Sequence, residues 1–344
     1  MRAVAASSRL RIGPLVGSIG VLLVVAAAAT TLGPADISPR QVAQEVFGSF
    51  PFVDASDLSN QGRAILWQLR IPRVVLGALV GGMLALAGGA YQGVFRNPLA
   101  DPYLLGVAAG AGLGATVAIG ARSAGFPQAL VPLAAFAGAV LAVGVTYALG
   151  RTIGDRTATT LILAGVAVAS FFTAIQTYVQ QRNTETLREV YAWILGRLST
   201  TGWREVVSVL PYMVVSAVVI LLHRRLLDVL ALGDEEAESL GVRAGRVRLI
   251  VVAAATLGTA AAVAVGGLIG FVGIIVPHAI RLMAGWSYRV VLPLSLVFGA
   301  SFMVIADVAA RTVVAPAELP IGVVTAFFGA PFFMLVLRTS REAL

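Results

Sequence analysis

Arg70 and Arg73 stand on either side of Pro72 in the run Arg70-Ile-Pro-Arg73, and a third arginine, Arg311, closes the segment Ala306-Asp307-Val-Ala-Ala-Arg311. A guanidinium is a planar fork of five donors, and so suits two-pronged pairing with a carboxylate. Taken alone the three read as interfacial arginines, whose stems lie along apolar surface and whose charged heads reach lipid headgroups. Asp307 is the one acid inside a long apolar run. Standing at i,i+4 from Arg311, it is expected to form a structural ion pair. A carrier driven by protons or sodium usually needs an acid near mid-membrane, and Asp307 lies about a turn from the end of its run.

A second group of charges is acidic. Leu232-Gly233-Asp234-Glu235-Glu236-Ala237-Glu238-Ser239-Leu240-Gly241 reads as a short helix bounded by glycines, with its acids in the first turns where the helix dipole favours them. A docking knob and a solvated amphipathic connector both fit that pattern. The third group is a turn: in Asn97-Pro98-Leu-Ala-Asp101-Pro102 the prolines end one helix and begin the next, while Asn97 and Asp101 can cap exposed backbone. Pro277, His278 and Arg281 lie together in Val276-Pro-His-Ala-Ile-Arg281, and His278 is expected to cap or to line an interface.

Several chemistries are excluded by what is missing. The chain has no cysteine, which removes thiol catalysis and thiolate metal sites, and only two histidines, His223 and His278, which make no metal-ligand spacing. All 25 basic residues are arginine. Without lysine there is no Walker A motif, so any ATP and magnesium that drive this protein must be held by a separate subunit. We therefore expect no cofactor in the chain and no catalysis by it. The net charge of +8 reads as arginines at helix ends beside anionic headgroups; no compact basic domain exists to carry nucleic acid.

The elements that must position these groups are membrane helices. With 58% hydrophobic residues, 12% charged residues and a mean hydropathy of +0.90, the 344-residue chain reads as an all-α polytopic membrane protein. The basic start, Arg2, Arg9 and Arg11, followed by apolar residues 14–32, resembles a signal peptide, but further spans follow and a retained first helix is expected. The remaining spans are predicted near 66–93, 103–120, 127–149, 157–180, 204–223, 246–265, 268–283, 290–312 and 320–338, ten helices in all. Residues 33–63 form a polar loop, and 181–203 a short external helix anchored by Tyr191, Trp193 and Trp203. Both termini then lie on one side; placing it in the cytoplasm leaves fifteen of the 25 arginines inside. The glycines Gly77, Gly81, Gly82, Gly88 and Gly89 are expected to let the second span approach its neighbours closely.

The run from Arg70-Ile-Pro-Arg73 through Gly81-Gly-Met-Leu-Ala-Leu-Ala-Gly-Gly-Ala-Tyr-Gln92 to Arg96-Asn-Pro-Leu-Ala-Asp-Pro102 and Leu104-Leu-Gly106 resembles the permease subunits of ABC importers for iron-siderophores, haem and vitamin B12. The resemblance extends from about Arg63 to Leu337 and leaves out the first helix. It implies a vitamin B12 permease-like fold in a single domain over 1–344, with a first helix and external loop (1–62), a core (63–338) and a cytoplasmic coupling loop (232–248). It implies a homodimer bound to two cytoplasmic ATPase subunits and one external substrate-binding protein. Arg70, Arg73 and Arg311 would receive acids of that binding protein. Leu232, Gly233, Asp234, Glu235, Glu236, Ala237, Leu240 and Gly241 would form the helix that docks in the ATPase, with Asn97, Pro98, Asp101, Pro102, Pro277, His278 and Arg281 at the cytoplasmic face nearby. Residues 165–180 and 321–332 would face the pathway.

The expectation is a transport subunit in the bacterial inner membrane, with both termini cytoplasmic, that passes a ferric siderophore. Haem or cobalamin would suit the same family, and an ion-coupled secondary transporter is the rival of a different class.

Overall fold

The computed structural model describes residues 10, 12–33, 35, 37–48, 57–153, 158–198 and 202–341. Arg2, Arg9, Arg11 and Arg156, which entered the reading of the first helix and the membrane orientation, lie outside the described residues. In chain order the helices are α1 (Ile12–Thr31), α2 (Pro39–Phe47), α3 (Asn60–Ile65), α4 (Ile71–Phe95), α5 (Val107–Gly120), α6 (Val131–Ile153), α7 (Ala158–Arg182), α8 (Leu187–Ile194), α9 (Arg204–Leu230), α10 (Asp234–Ser239), α11 (Ala244–Gly266), α12 (Val272–Ala284), α13 (Tyr288–Thr312) and α14 (Ile321–Arg341). No strand occurs among the described residues. Among the described residues seven helices are long and apolar enough to cross a membrane, and Val107–Gly120, Val272–Ala284 and Ile321–Met334 are shorter apolar stretches. The short helix foreseen in 181–203 is α8.

The packing centres on α4. Twenty of its residues, from Pro72 to Phe95, are buried, and α9, α11, α12 and α13 surround it. Its glycines explain how. A β-carbon at Gly81 would lie 2.3 Å from the Gly299 carbonyl oxygen on α13, and one at Gly88 would lie 2.0 Å from the Gly273 carbonyl oxygen on α12. Backbone therefore packs on backbone, which gains dispersion contact where apolar lipid supplies no hydrophobic drive. A second group repeats the device: a β-carbon at Gly110 of α5 would lie 2.2 Å from the Gly138 carbonyl oxygen of α6.

The expected span 268–283 is interrupted. Residues 267–271 are not helical, and α12 begins at Val272. Non-helical backbone at membrane depth survives only where protein satisfies it. Here the Tyr103 hydroxyl donates to the Ile269 carbonyl at 3.0 Å and accepts from the Ile269 N–H at 3.1 Å, while the Arg197 N–H donates to the Gly266 carbonyl at 2.9 Å.

By contrast α1 is peripheral and buries only Ser18, Ala29 and Thr30. Large apolar side chains also stand exposed on α7 (Leu163, Val166, Phe171, Tyr178) and on α14 (Val323, Phe327, Phe328, Met334).

Replacing Gly88 with leucine is expected to destabilise the fold by about 3 kcal/mol, because the nearest obstacle is backbone that cannot yield. Gly144→Leu, where a β-carbon meets nothing within 4 Å, serves as the control and should be close to neutral. Thermal unfolding in detergent measures both, and equal behaviour would refute the close-packing account.

Candidate functional site

At one end of α4 the three arginines singled out in the sequence come together. A π-helical turn, Leu66–Arg70, leads into α4 and turns Arg70 toward α1. The Arg70 guanidinium donates to the carbonyls of Thr30 (2.9 Å), Thr31 (3.1 Å) and Ala35. Arg311 on α13 donates to those of Leu32 (3.0 Å) and Ala29 (3.1 Å). The Thr30 and Thr31 hydroxyls take the carbonyls of Ala27 and Ala28. The last carbonyls of α1, which no helix can satisfy internally, are thus all engaged, and two cations meet the negative end of its dipole. Arg70 and Arg311 are only 5% and 8% exposed. Both are buried, with donors directed at carbonyls at the end of α1 and just past it, and Arg311 Nε facing Asp307.

Arg73 is placed differently. Its Nε donates to Asp307 at 3.0 and 3.2 Å, and its two terminal nitrogens form a two-pronged pair with Glu318 at 2.9 and 3.0 Å. Asp307 also meets Arg311 Nε at 3.1 Å, so the i,i+4 pair foreseen in the sequence exists but is one arm of a larger network. Glu318 lies in the connection between α13 and α14 and keeps 42% of its side chain exposed. The hydrogen bonds from Arg73 hold its carboxyl below the usual carboxylate range. Sequence reading missed Glu318, because 245 residues separate it from Arg73 and no local spacing connects them.

At the other end of α4 lies α10. Gly241, at φ 79°, ends it with a paired closure in which Val242 N–H reaches the Ala237 carbonyl and Gly241 N–H the Glu238 carbonyl, both at 2.9 Å. Ala237 is fully buried, whereas Leu232, Glu235, Glu236, Glu238 and Leu240 face outward. Asp234 points the other way. It pairs with Arg96, which stands in the left-handed conformation just past α4, and with Arg248 of α11, 3.1 Å from each carboxylate oxygen. Of the predicted docking acids, Asp234 thus fastens the helix to the rest of the protein while the others form its outer face. Gly233 has φ 143°, and a β-carbon there would collide with the Glu236 carboxylate.

The turn after α4 behaves as its residue types suggest. Asn97 Oδ1 accepts from Leu99 N–H at 2.9 Å and Asp101 Oδ1 from Tyr103 N–H at 2.8 Å, with Pro102 opening a short 3₁₀ turn, Pro102–Leu105. Pro98 follows Asn97 in the same turn. Pro277 packs near Gly89, His278 makes an edge-on contact with Phe332 of α14 at 6.0 Å between ring centres, and Arg281 is buried and donates to Gln92 of α4. No cluster of potential metal ligands occurs among the described residues. Three positioning residues escaped the sequence reading: Arg96, Arg248 and Tyr103.

The geometry so far describes a helical membrane protein with a charged network at one end of its central helix and an exposed acidic helix at the other. The FecCD transport family model matches residues 21–339. This chain belongs to that family. The match begins inside α1, earlier than the resemblance read from the motifs. Among its relatives, a cobalamin import system permease protein of Halobacterium salinarum is 42% identical over 80% of this chain and 74% of its own length. An iron(3+)-hydroxamate import system permease protein of Bacillus subtilis is 35% identical over 96% of this chain and 84% of its own, and a hemin transport system permease protein of Yersinia pestis is 38% identical over 83% and 86%. A solved structure described as an inward-facing conformation of a metal-chelate type ABC transporter superposes with a TM-score of 0.81 at 29% identity, covering 94% of this chain and 98% of that one. The protein is a permease subunit of the ABC importers, a family of transport subunits and not of catalysts.

Burial pushes the Asp101 carboxyl up to about 6, although the Tyr103 N–H works against the rise. A carboxyl raised in the folded state stabilises most below its unfolded value near 4, and that contribution fades as pH climbs to about 6. Asp101→Asn keeps an acceptor for Tyr103 N–H and removes the titration. The isolated permease should therefore lose about 2 kcal/mol of stability between pH 4 and 7 that the variant does not lose. Unfolding midpoints across that range check it; parallel curves for both proteins would refute it.

Proposed function

We propose that this chain is the membrane-crossing subunit of an importer for a bulky metal chelate, working as a homodimer with two cytoplasmic ATPases and one external binding protein. The observation that carries this reading is the outward face of α10, where Leu232 and Leu240 flank Glu235, Glu236 and Glu238 on a helix fixed at its base by Asp234. Apolar anchors ringed by acids, held on a rigid mount, suit insertion into a groove of a partner. ATP binding and hydrolysis there would move α10 and, through Arg96 and Arg248, the ends of α4 and α11. The exposed apolar faces of α7 and α14 would meet the second copy and border the path between them. We place α10 and both termini in the cytoplasm and the Arg73 end outside, with ten helices crossing wholly or in part.

Ferric siderophore is the substrate proposed first, supported by the breadth of the match to the iron(3+)-hydroxamate permease. Cobalamin is the second reading, favoured by the higher identity to the cobalamin permease. Haem fits the same class. The relatives give no support to an ion-coupled carrier. The outer docking face is centred on Arg73, with Arg70 and Arg311 setting its frame through α1.

Vesicles holding the permease, its ATPase and its binding protein, supplied with radiolabelled ferric siderophore, haem or cobalamin, test class and substrate together. Uptake of one of them that needs ATP is expected; uptake that follows an ion gradient and ignores ATP would overturn the reading. In the same vesicles, Glu235→Arg with Leu240→Arg should lower uptake by about tenfold or more and reduce the ATPase recovered with the permease. Unchanged recovery and uptake would remove α10 from the coupling role.

A further inference from the structure

Arg73 is almost fully committed within its own chain. Its Nε faces Asp307, one terminal nitrogen lies 2.9 Å from Asp307, and both terminal nitrogens are taken by Glu318. The two acids are not equivalent. Asp307 is 2% exposed and also holds Arg311, whereas Glu318 is 42% exposed at the molecular surface. An arginine fork has two edges that can grip a carboxylate, and here acids of the same chain occupy both: Asp307 the buried Nε edge and Glu318 the outward edge of the two terminal nitrogens. A partner carboxylate arriving from solvent can reach that edge only where Glu318 now sits.

We propose that Glu318 is a resident competitor for the docking partner: the binding protein engages Arg73 by carboxylate exchange, displacing Glu318 while Asp307 keeps the guanidinium in place. This inference rests on the proposed docking role of Arg73. The exchange has a structural consequence, because Glu318 stands three residues before α14. The connection is held at its two sides by Leu319 N–H on the Ala310 carbonyl (2.9 Å) and by the N–H groups of Ile321 and Gly322 on the carbonyls of Gly196 and Leu195 (3.1 and 3.0 Å). Glu318 stands one residue ahead of these anchors, and its pair with Arg73 ties the connection on the α13 side of them. Breaking it frees the stretch between α13 and Leu319, next to the anchors that lead into α14, so docking on α4 is passed toward a helix that borders the proposed path. Glu318 is thus a positioning residue, and it also sets specificity: a partner must present an acid able to outbid an internal one.

The test uses the complete importer in nanodiscs and its substrate-free binding protein as the probe, with affinity read by surface plasmon resonance. Glu318→Gln removes the competitor and is expected to tighten binding about three- to tenfold. A residue with a merely structural role would not produce such a gain. Arg73→Ala should weaken binding at least tenfold, and adding Glu318→Gln to Arg73→Ala should give no further change. Recovery of the ATPase with each variant reports assembly. If Arg73→Ala weakens binding but Glu318→Gln leaves it unaltered or weaker, the exchange is wrong and the docking role stands. If an assembled Arg73→Ala importer binds normally, the docking role itself falls. If Glu318→Gln tightens binding equally in the Arg73→Ala background, the gain is general charge repulsion and the exchange is refuted.

Discussion

Backbone polar groups in an apolar surround must find partners inside the protein, and most of the distinctive side chains here answer to that requirement. Helices meet it for themselves except at their ends and breaks. The end of α1 is met by Arg70, Arg311, Thr30 and Thr31; the break at 267–271 by Tyr103; the first turn of α12 by Gln92, whose amide donates to the Gly273 carbonyl at 3.1 Å. Gln92 belongs to α4, Arg70 leads directly into it and Tyr103 follows the turn after it, while Arg311 stands on α13 and the two threonines on α1 itself. The central helix is therefore the packing core and, with the turns at its two ends, supplies several of the groups that allow its neighbours to be irregular.

This double use gives α4 a mechanical character. Its glycine face presses on the backbones of α12 and α13, so it has little freedom to slide, and ion pairs fasten both its ends: Arg73 to Asp307 and Glu318, Arg96 to Asp234. Close-packed interiors transmit displacement and do not absorb it. A force applied at α10 meets a stiff rod whose far end holds the connection to α14. Buried ion pairs contribute little net stability against apolar replacements of the same shape, but losing one member costs about 3–5 kcal/mol. Their value here lies in fixing which groups move together.

Much of this was legible in the sequence. The all-helical membrane class follows from composition, and the glycines of α4, the caps at Asn97 and Asp101 and the glycine-bounded acidic helix follow from local rules that act over a few residues. The misses share one cause. Glu318, Arg96, Arg248 and Tyr103 do their work across long sequence separations, where neither periodicity nor spacing carries a signal. The same limit applies to the inward turn of Arg70 and Arg311, because nothing local tells an arginine that faces outward from one that caps another helix. Asp307 was half legible, since its pair with Arg311 is local and its pair with Arg73 is not.

The choice of arginine at these positions follows from the geometry. Arg70 serves three carbonyls, Arg73 two carboxylates, and Arg311 two carbonyls and a carboxylate. A lysine ammonium offers three donors from one point and would have to abandon part of each set. A planar fork can hold a backbone or a buried acid along one edge and still present the other edge to a surface carboxylate. That division lets one residue at the end of α4 be fixed and available at once: Asp307 supplies the fixed side, and the exposed Glu318 marks the side that can change partners.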